Sequence, residues 1–533
     1  MKLSEFIQAI ETDEKSRAGS AIPVFLFLFA LALRLYAALV PGIIFPDGIM
    51  YINTAKMIDA GQWGKLSHWG FFYNIYPFFI AALHKVINDW EFCARILSVF
   101  FGSLAIVPLY WIVKRIFDIR LAIMVSIFFI ISPRLVEYSS NVIREPVFWF
   151  FALSALSAAV RGIQQKQWFF MALAALCIGL SIFTRMEGIA LIPIILIWIY
   201  WFYQKEKAFA FKTFLMLSVV FLLSFPVIFG SPLILVKEKI GHWEFGLIGS
   251  RLPQMFGTGN TPAQQELQKD NEGSDAVTKT MSGNRYLVFL WQTVYKFFRS
   301  YHVLFIILFI VGIVRRKLVP YNSREILIGI WWSVFFIVAL LYISRTHYLS
   351  TRHGMLMGIP GLLWVSIGFF ELSDIIKKWV RRYKKIIFAR QKQGIEIAVL
   401  IIVCIIVLPS TLSWSGVEKV EMKKAGIFLK KNVFTGQHLA VESRLNRLAF
   451  YSEADYVTIP DNIDAAELSH FLRSRKIDYL LIDKKTVGSS LAMFIEKSID
   501  NDLEEININE FNNYKNYSFT LFKIKNNSSC RAL

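Results

Sequence analysis

The chain has 533 residues and a formal net charge of +19, and it is 55% apolar, 16% aromatic and only 18% charged, with a mean hydropathy of +0.48. Soluble domains carry about a quarter charged residues, so secreted, fibrous, disordered and simple cytosolic classes are excluded. Uncharged runs rich in Phe, Leu, Ile and Trp recur from about residue 21 to about residue 410, which defines a polytopic membrane protein.

The first twenty residues are polar and helical in pattern, with Lys2, Lys15 and Arg17. The apolar run that follows is long enough to span and has no Ala-x-Ala-like end, so it reads as a retained first helix. About 11 spans of roughly twenty residues suit a 30 Å hydrocarbon core. They fall near 21–41, 93–113, 121–135, 146–160, 168–184, 188–203, 211–230, 302–314, 325–343, 354–372 and 394–411. The hydrophobic stretch 168–203 is interrupted by Thr184-Arg185-Met186-Glu187-Gly188, where a hairpin turns.

Threaded alternately from a cytoplasmic N-terminus, the basic loops fall on one side, as the positive-inside rule requires. They hold Lys114, Arg115 and Arg120; Arg161 and Lys166; Lys205, Lys207 and Lys212; Arg315, Arg316, Lys317 and Arg324; and the run from Lys377 to Lys392. That run is read as topology plus contact with anionic headgroups. The same threading puts outside a loop from about 42 to 92, a second from about 231 to 301, and the tail after 411. In the first of these, 47–60 and 71–87 read as two helices lying along the interface, since a further span would invert every later basic loop. The second is Gly-rich and charged, and is expected to close over an active site.

After Pro409 the composition turns ordinary. Val417–Lys431 and Ala465–Arg475 are patterned as helices, His438–Glu442 and Asp478–Asp483 as strands, and Tyr517–Ile524 as an alternating strand with Tyr517, Phe519 and Leu521 on one face. The expectation is a transmembrane domain over 1–411 and a small soluble α/β domain over 412–533 on the extracytoplasmic side. The four cysteines, Cys93, Cys177, Cys404 and Cys530, have neither metal-ligand nor disulfide-framework spacing. The basic excess is spread through short loops, so no nucleic acid is implied as a partner.

Ionisable residues at a membrane edge are costly and mark candidate functional sites. Asp47 follows the first span and opens a short helix, where it also suits an N-cap. Tyr51, Tyr76-Pro77 and Ala94-Arg95 come next in order. Arg144-Glu145-Pro146 then bring a cation and a second acid to the start of a span, Glu145 being equally a helix-start charge. Arg185 closes the fifth span, and His347-Tyr348 and Arg352-His353 precede the tenth. Arg34 and Arg95, inside or beside spans, are expected to snorkel or to pair with a carboxylate. His353 reads as an interfacial hydrogen-bonding residue, and His68 and His84 as structural.

In that order these residues resemble the GT-C superfamily of membrane glycosyltransferases, in particular the branch of protein O-mannosyltransferases and the lipid A aminoarabinose transferase. The likeness covers about residues 21–372; Gly48 stands where many relatives have Glu, and Phe78 where they have a second Pro. It implies a GT-C fold and transfer of a monosaccharide from a polyprenyl-phosphate carrier, with inversion, to a lipid, glycan or protein acceptor on the outer face of a bacterial inner membrane. Asp47 would take the acceptor proton, while Arg144, Arg185 and Arg352 would steady the departing phosphate. Tyr51, Tyr76, His347 and Tyr348 would support them. Glu145 would either help Asp47 hold a divalent cation or hold an arginine in place, and metal dependence stays open. Two other readings remain: a transporter or flippase of lipid-linked saccharides, and a polymerase or ligase that uses diphosphate-linked glycans.

Overall fold

The computed structural model describes residues 17–40, 42–62, 74–205, 211–212, 214–224, 285–314, 324–347, 349–383, 392–413, 420–433, 437–460, 465–485, 495 and 503–525. The chain forms two compact units: Met1–Leu39 with Tyr51–Ser413, and Val40–Met50 with Trp414–Leu533.

The first unit is helical. In order it contains α1 (Arg17–Leu39), α2 (Pro46–Asp59, whose first turn belongs to the second unit), α3 (Ile75–His84), α4 (Trp90–Leu104), α5 (Ile106–Ile116), α6 (Ile119–Ile131), α7 (Pro133–Ser139), α8 (Glu145–Gln165) and α9 (Trp168–Thr184). After the 3-10 turn Met186–Ala190 come α10 (Leu191–Lys205) and α11 (Phe214–Ser224), then α12 (Arg285–Arg299), α13 (Val303–Val314), α14 (Glu325–Thr346), α15 (Thr351–Tyr383) and α16 (Lys392–Leu412). Among the described residues seven helices are long and apolar enough to cross a membrane, or nine if each of two bent pairs is one span. Trp168–Thr184 and Phe214–Ser224 are shorter apolar helices at the places of two further expected spans. The protein is a multi-pass membrane protein.

Helices stand at the two places expected in the first loop, as α2 and α3, while residues 63–73, including His68, lie outside the described residues. The expected span 121–135 ends early. Ser132 is held extended at ψ 119 by the following Pro133, which opens α7, so α6 and α7 meet at 62°. A second difference lies at 285–299, which the sequence reading left in a polar loop: it is α12, turned by 110° against α13. Its apolar residues alternate with Arg285, Gln292, Lys296 and Arg299, an amphipathic pattern that hydropathy averaging hides. Residues 225–284, the end of the expected span 211–230 and most of that loop with its expected lid, lie outside the described residues.

Two helices cross where glycine leaves no room for a side chain. A Cβ on Gly312 of α13 would stand 1.9 Å from the Trp364 carbonyl of α15, and one on Gly368 would stand 1.8 Å from the Leu308 carbonyl. Backbone therefore meets backbone, the close approach that small residues permit between membrane helices. This contact fixes α15, whose first residues enter the site described below.

One end of this unit gathers the basic residues. Gln164 donates to the Arg115 carbonyl at 3.2 Å and Arg324 to the Ile116 carbonyl at 3.2 Å. Arg120 and Lys377 both bind Glu396, and Lys377 also binds Asp374 at 2.9 Å. Lys377 is thus buried and paired, not a headgroup contact as its place in a basic run suggested; residues 384–391 of that run lie outside the described residues.

The second unit holds a five-stranded mixed sheet. Its helices are α17 (Val420–Asn432), α18 (Asn446–Ser452) and α19 (Ala465–Ser474); its strands are β1 (His438–Glu442), β2 (Asp455–Ile459), β3 (Tyr479–Asp483), β4 (Leu503–Ile506) and β5 (Phe519–Ile524). The order is β2-β1-β3-β5-β4, with β2, β1 and β3 parallel and β5 antiparallel to both neighbours. β5 was expected to bury one face. It buries Phe519, Thr520, Leu521 and Phe522 in succession, because it is an interior strand covered on both sides.

Candidate functional site

The ends of three helices bring their charges together in the first unit. Arg144 is the N-cap of α8 and Glu145 its first residue, with Pro146 next, where its missing N–H is no loss. Arg185 ends α9 in an extended conformation and the 3-10 turn then carries Glu187. Arg352 and His353 lie in the first turn of α15.

Arg185 organises the group. Its Nη1 donates to Glu145 Oε1, its Nε to Glu187 Oε2 at 3.3 Å, and its Nη2 to Glu187 Oε1. All three side chains are buried: Arg185 is 4% exposed, Glu145 1% and Glu187 8%. Such a planar fork, satisfied on two edges, is what guanidinium geometry permits and an ammonium does not. Arg352 Nε lies 3.7 Å from Glu145 Oε1. His353 Nε2 lies 3.8 Å from Glu187 Oε1, and its ring stacks on Tyr342 with centroids 4.8 Å apart. Glu145 Oε2 is buried and accepts no hydrogen bond among the described residues.

Arg144 links this group to the aromatic residues. Its guanidinium lies over the Tyr51 ring at 5.9 Å and its charge reaches Glu187. Tyr51 meets Tyr76 edge to face at 5.5 Å. The Tyr76 hydroxyl donates to the Ala94 carbonyl at 2.7 Å and lies 2.9 Å from Ser98 Oγ. Tyr76 therefore ties α3 to α4, and Tyr51 rests on it. In these contacts the guanidiniums of Arg144, Arg185 and Arg352 stand with the carboxylates of Glu145 and Glu187.

The structure thus brings together Glu145, Arg144, Arg185, Arg352, Tyr51 and Tyr76 from the residues singled out in the sequence. It adds Glu187, which the sequence reading treated only as part of a turn. The available signal was Arg185-x-Glu187, two opposite charges inside an otherwise apolar stretch. Asp47 is half-buried in the first turn of α2, in the segment belonging to the second unit; the helix begins at Pro46, so Asp47 is inside the first turn and not its N-cap. His347 is exposed, closes α14 in a left-handed conformation at φ 53, and lies 5.5 Å from the Phe289 ring. Tyr348 lies outside the described residues.

Arg95 pairs with Glu91 at 2.8 Å, as expected of it. Arg34 does neither of the things expected. It is fully buried, donates to the Ala30 and Phe129 carbonyls at 3.5 and 3.4 Å, and lies over the Phe129 ring. The bend between α6 and α7 supplies the reason: the last turn of α6 leaves the Phe129 carbonyl short of its helical donor. His84 stacks on Trp90 at 3.5 Å, a packing role.

Residues 75–229, less than half of the chain, match the dolichyl-phosphate-mannose-protein mannosyltransferase family. No curated protein matches the chain in sequence. Among solved structures it is similar to ArnT from Cupriavidus metallidurans bound to undecaprenyl phosphate, at 12% identity over 95% of this chain and 98% of that one, with a TM-score of 0.56. It is also similar to the Archaeoglobus fulgidus oligosaccharyltransferase in complex with zinc and sulfate, at 12% identity over 87% and 68% of the two chains, with a TM-score of 0.54. The same oligosaccharyltransferase tethered to an acceptor peptide matches at 13% identity over 89% and 70%, with a TM-score of 0.51. The chain has the fold of the GT-C membrane glycosyltransferases. The sequence match and the fold likeness point to the same class, membrane transferases of glycosyl groups.

Proposed function

We propose that the chain is an inverting glycosyltransferase that moves a monosaccharide from a polyprenyl-phosphate carrier to an acceptor hydroxyl or amine at the outer face of a bacterial inner membrane. The observation that carries this reading is the buried cluster around Arg185, which gathers three guanidiniums at one end of apolar helices. A phosphate at a hydrocarbon boundary needs such a partner, because charge-assisted hydrogen bonds are strongest where water is scarce. Undecaprenyl phosphate bound to ArnT supports the lipid carrier, and the peptide tethered to the oligosaccharyltransferase supports an acceptor presented from outside.

Within this reading each residue has its own role. Arg185 is occupied on two edges by Glu145 and Glu187, so it holds those acids and sets the field of the site. Arg144 and Arg352 take the phosphate that departs. Asp47 takes the acceptor proton as the acceptor oxygen or nitrogen attacks the anomeric carbon and the carbon–phosphate oxygen bond breaks. A single displacement inverts the anomeric centre. Glu145 is engaged by Arg185, which supports the second of its two expected roles, holding an arginine in place.

The test uses purified full-length protein with radiolabelled polyprenyl-phosphate pentoses and hexoses. Release of polyprenyl phosphate is expected with at least one donor, and Asp47→Asn is expected to abolish it while leaving donor binding near that of the parent. Full turnover in that variant would remove Asp47 from the chemistry. Movement of intact donor across vesicles, with no release of sugar, would favour a flippase instead.

A further inference from the structure

The segment Val40–Met50, between the first membrane helix and the body of α2, belongs to the unit built by the tail. Its contacts there are specific. The Ile44 amide donates to the Tyr451 hydroxyl at 3.2 Å, and Ile44 is fully buried with Ile43 4% exposed. Four residues on, the Gly48 amide donates to the Phe45 carbonyl at 2.8 Å and so closes the turn that opens α2 and carries Asp47. The Ile44 hydrogen bond is therefore a fixed point directly before the turn that carries Asp47.

Tyr451 is itself held without slack. A Cβ on Gly426 of α17 would lie 2.6 Å from Tyr451 Cβ and 2.5 Å from the Leu448 carbonyl, so α17 and α18 touch along their backbones. Lys423 Nζ lies over the Tyr451 ring at 4.8 Å, and the ring is only 8% exposed. A buried amide with one side-chain acceptor, on a residue locked by its own helix pair, is a device for setting position.

We infer that Tyr451 is a positioning residue for the catalytic segment: the tail unit, through its hydroxyl, fixes where α2 starts and hence where Asp47 points. The inference rests on the proposed role of Asp47, but its structural half is independent of it. The tail then acts in the chemical step and is not solely a surface for the acceptor.

Tyr451→Phe removes the acceptor and keeps the ring. In full-length protein, amide exchange over residues 42–47 is expected to speed up by roughly tenfold, the equivalent of one lost hydrogen bond. Exchange at Leu480 and Leu481 of β3 is expected to stay as in the parent, which shows the tail unit intact. Turnover of the polyprenyl-phosphate donor is expected to show kcat lower by roughly tenfold with KM changed by less than about twofold, since positioning is realised in the transition state. Lys430→Gln, which breaks the exposed pair between Lys430 of α17 and Glu453 at the end of α18, is expected to change neither readout.

Unchanged exchange over 42–47 in Tyr451→Phe would overturn the contact as a fixed point. Faster exchange with unchanged kcat would overturn the positioning role. Failure of the Asp47 reading has a different signature, full turnover in Asp47→Asn, and leaves the exchange result standing.

Discussion

Burying Arg185 with Glu145 and Glu187 takes three charges out of water, which costs several kcal/mol per ion unless their geometry returns it. The return comes from the fork: one planar group satisfies two carboxylates that would otherwise repel each other. Lysine in that place offers a point charge and cannot span both acids. Arg185→Lys is therefore expected to lose most donor turnover and to lower stability by about 3–5 kcal/mol, the cost of breaking a buried pair. A thermal shift in detergent reads the second effect, and a melting temperature equal to the parent's would show that the fork is not satisfied as described. Glu187→Gln keeps the shape but removes one charge, and is expected to cost less stability than Glu187→Ala. At this scale much of the site was legible, because Glu145, Arg185 and Arg352 are ions where ions are costly. Glu187 was passed over because a charge beside a turn has an ordinary explanation. The Tyr451 hydrogen bond had no signal at all: 407 residues separate its partners, and tyrosine in a helix announces nothing.

Among the elements, the crossing of α13 and α15 decides whether the first turn of α15 holds Arg352 and His353 in place. Gly312→Ala or Gly368→Ala puts a methyl group into a backbone carbonyl, and neither helix can give way without losing the contact. An overpacking cost of about 1–3 kcal/mol is expected, seen as a lower melting temperature together with weaker turnover. Gly329→Ala in α14 serves as the control. It has nothing within 4 Å of the added carbon, and exchanging a helical glycine for alanine is expected to gain about 1 kcal/mol. A fall in stability at Gly329 equal to that at Gly312 would refute the packing argument. The membrane helices were legible because long apolar runs admit few alternatives, and β1 and β3 because short apolar runs stood between polar ones. The bend at Ser132-Pro133 was written in the sequence as a proline inside a span but was absorbed into a straight helix. α12 escaped because amphipathic helices average to polar. β2 and β4 escaped because each is an edge strand with exposed residues, Asp455 in one and Glu504 and Glu505 in the other, so neither shows a buried run.

For the molecule as a whole, the distribution of charge gives a side to each end of the membrane unit. Arg115, Arg120, Arg324 and Lys377 lie near the ends of α5, α6, α14 and α15, Arg115 and Arg324 donating to carbonyls and Arg120 and Lys377 binding Glu396. The Arg185 cluster lies at the opposite end of α8: Glu145 is its first residue and Gln164 is one residue from its last, a rise of roughly 30 Å along a straight helix. That is the thickness of the hydrocarbon core. The chain leaves this unit at the cluster's end. α16 starts beside the basic group, where Glu396 meets Arg120 and Lys377, and finishes with the Thr411 hydroxyl donating to the Ile131 carbonyl at 2.7 Å, at the bend that precedes α7. By the positive-inside rule the basic end is expected on the cytoplasmic side. A reporter enzyme that is active only outside the cytoplasm is therefore expected to be active when fused after Ser413 and inactive when fused after Lys166. The opposite pattern would put the Arg185 cluster on the cytoplasmic face and overturn the orientation expected from the basic loops.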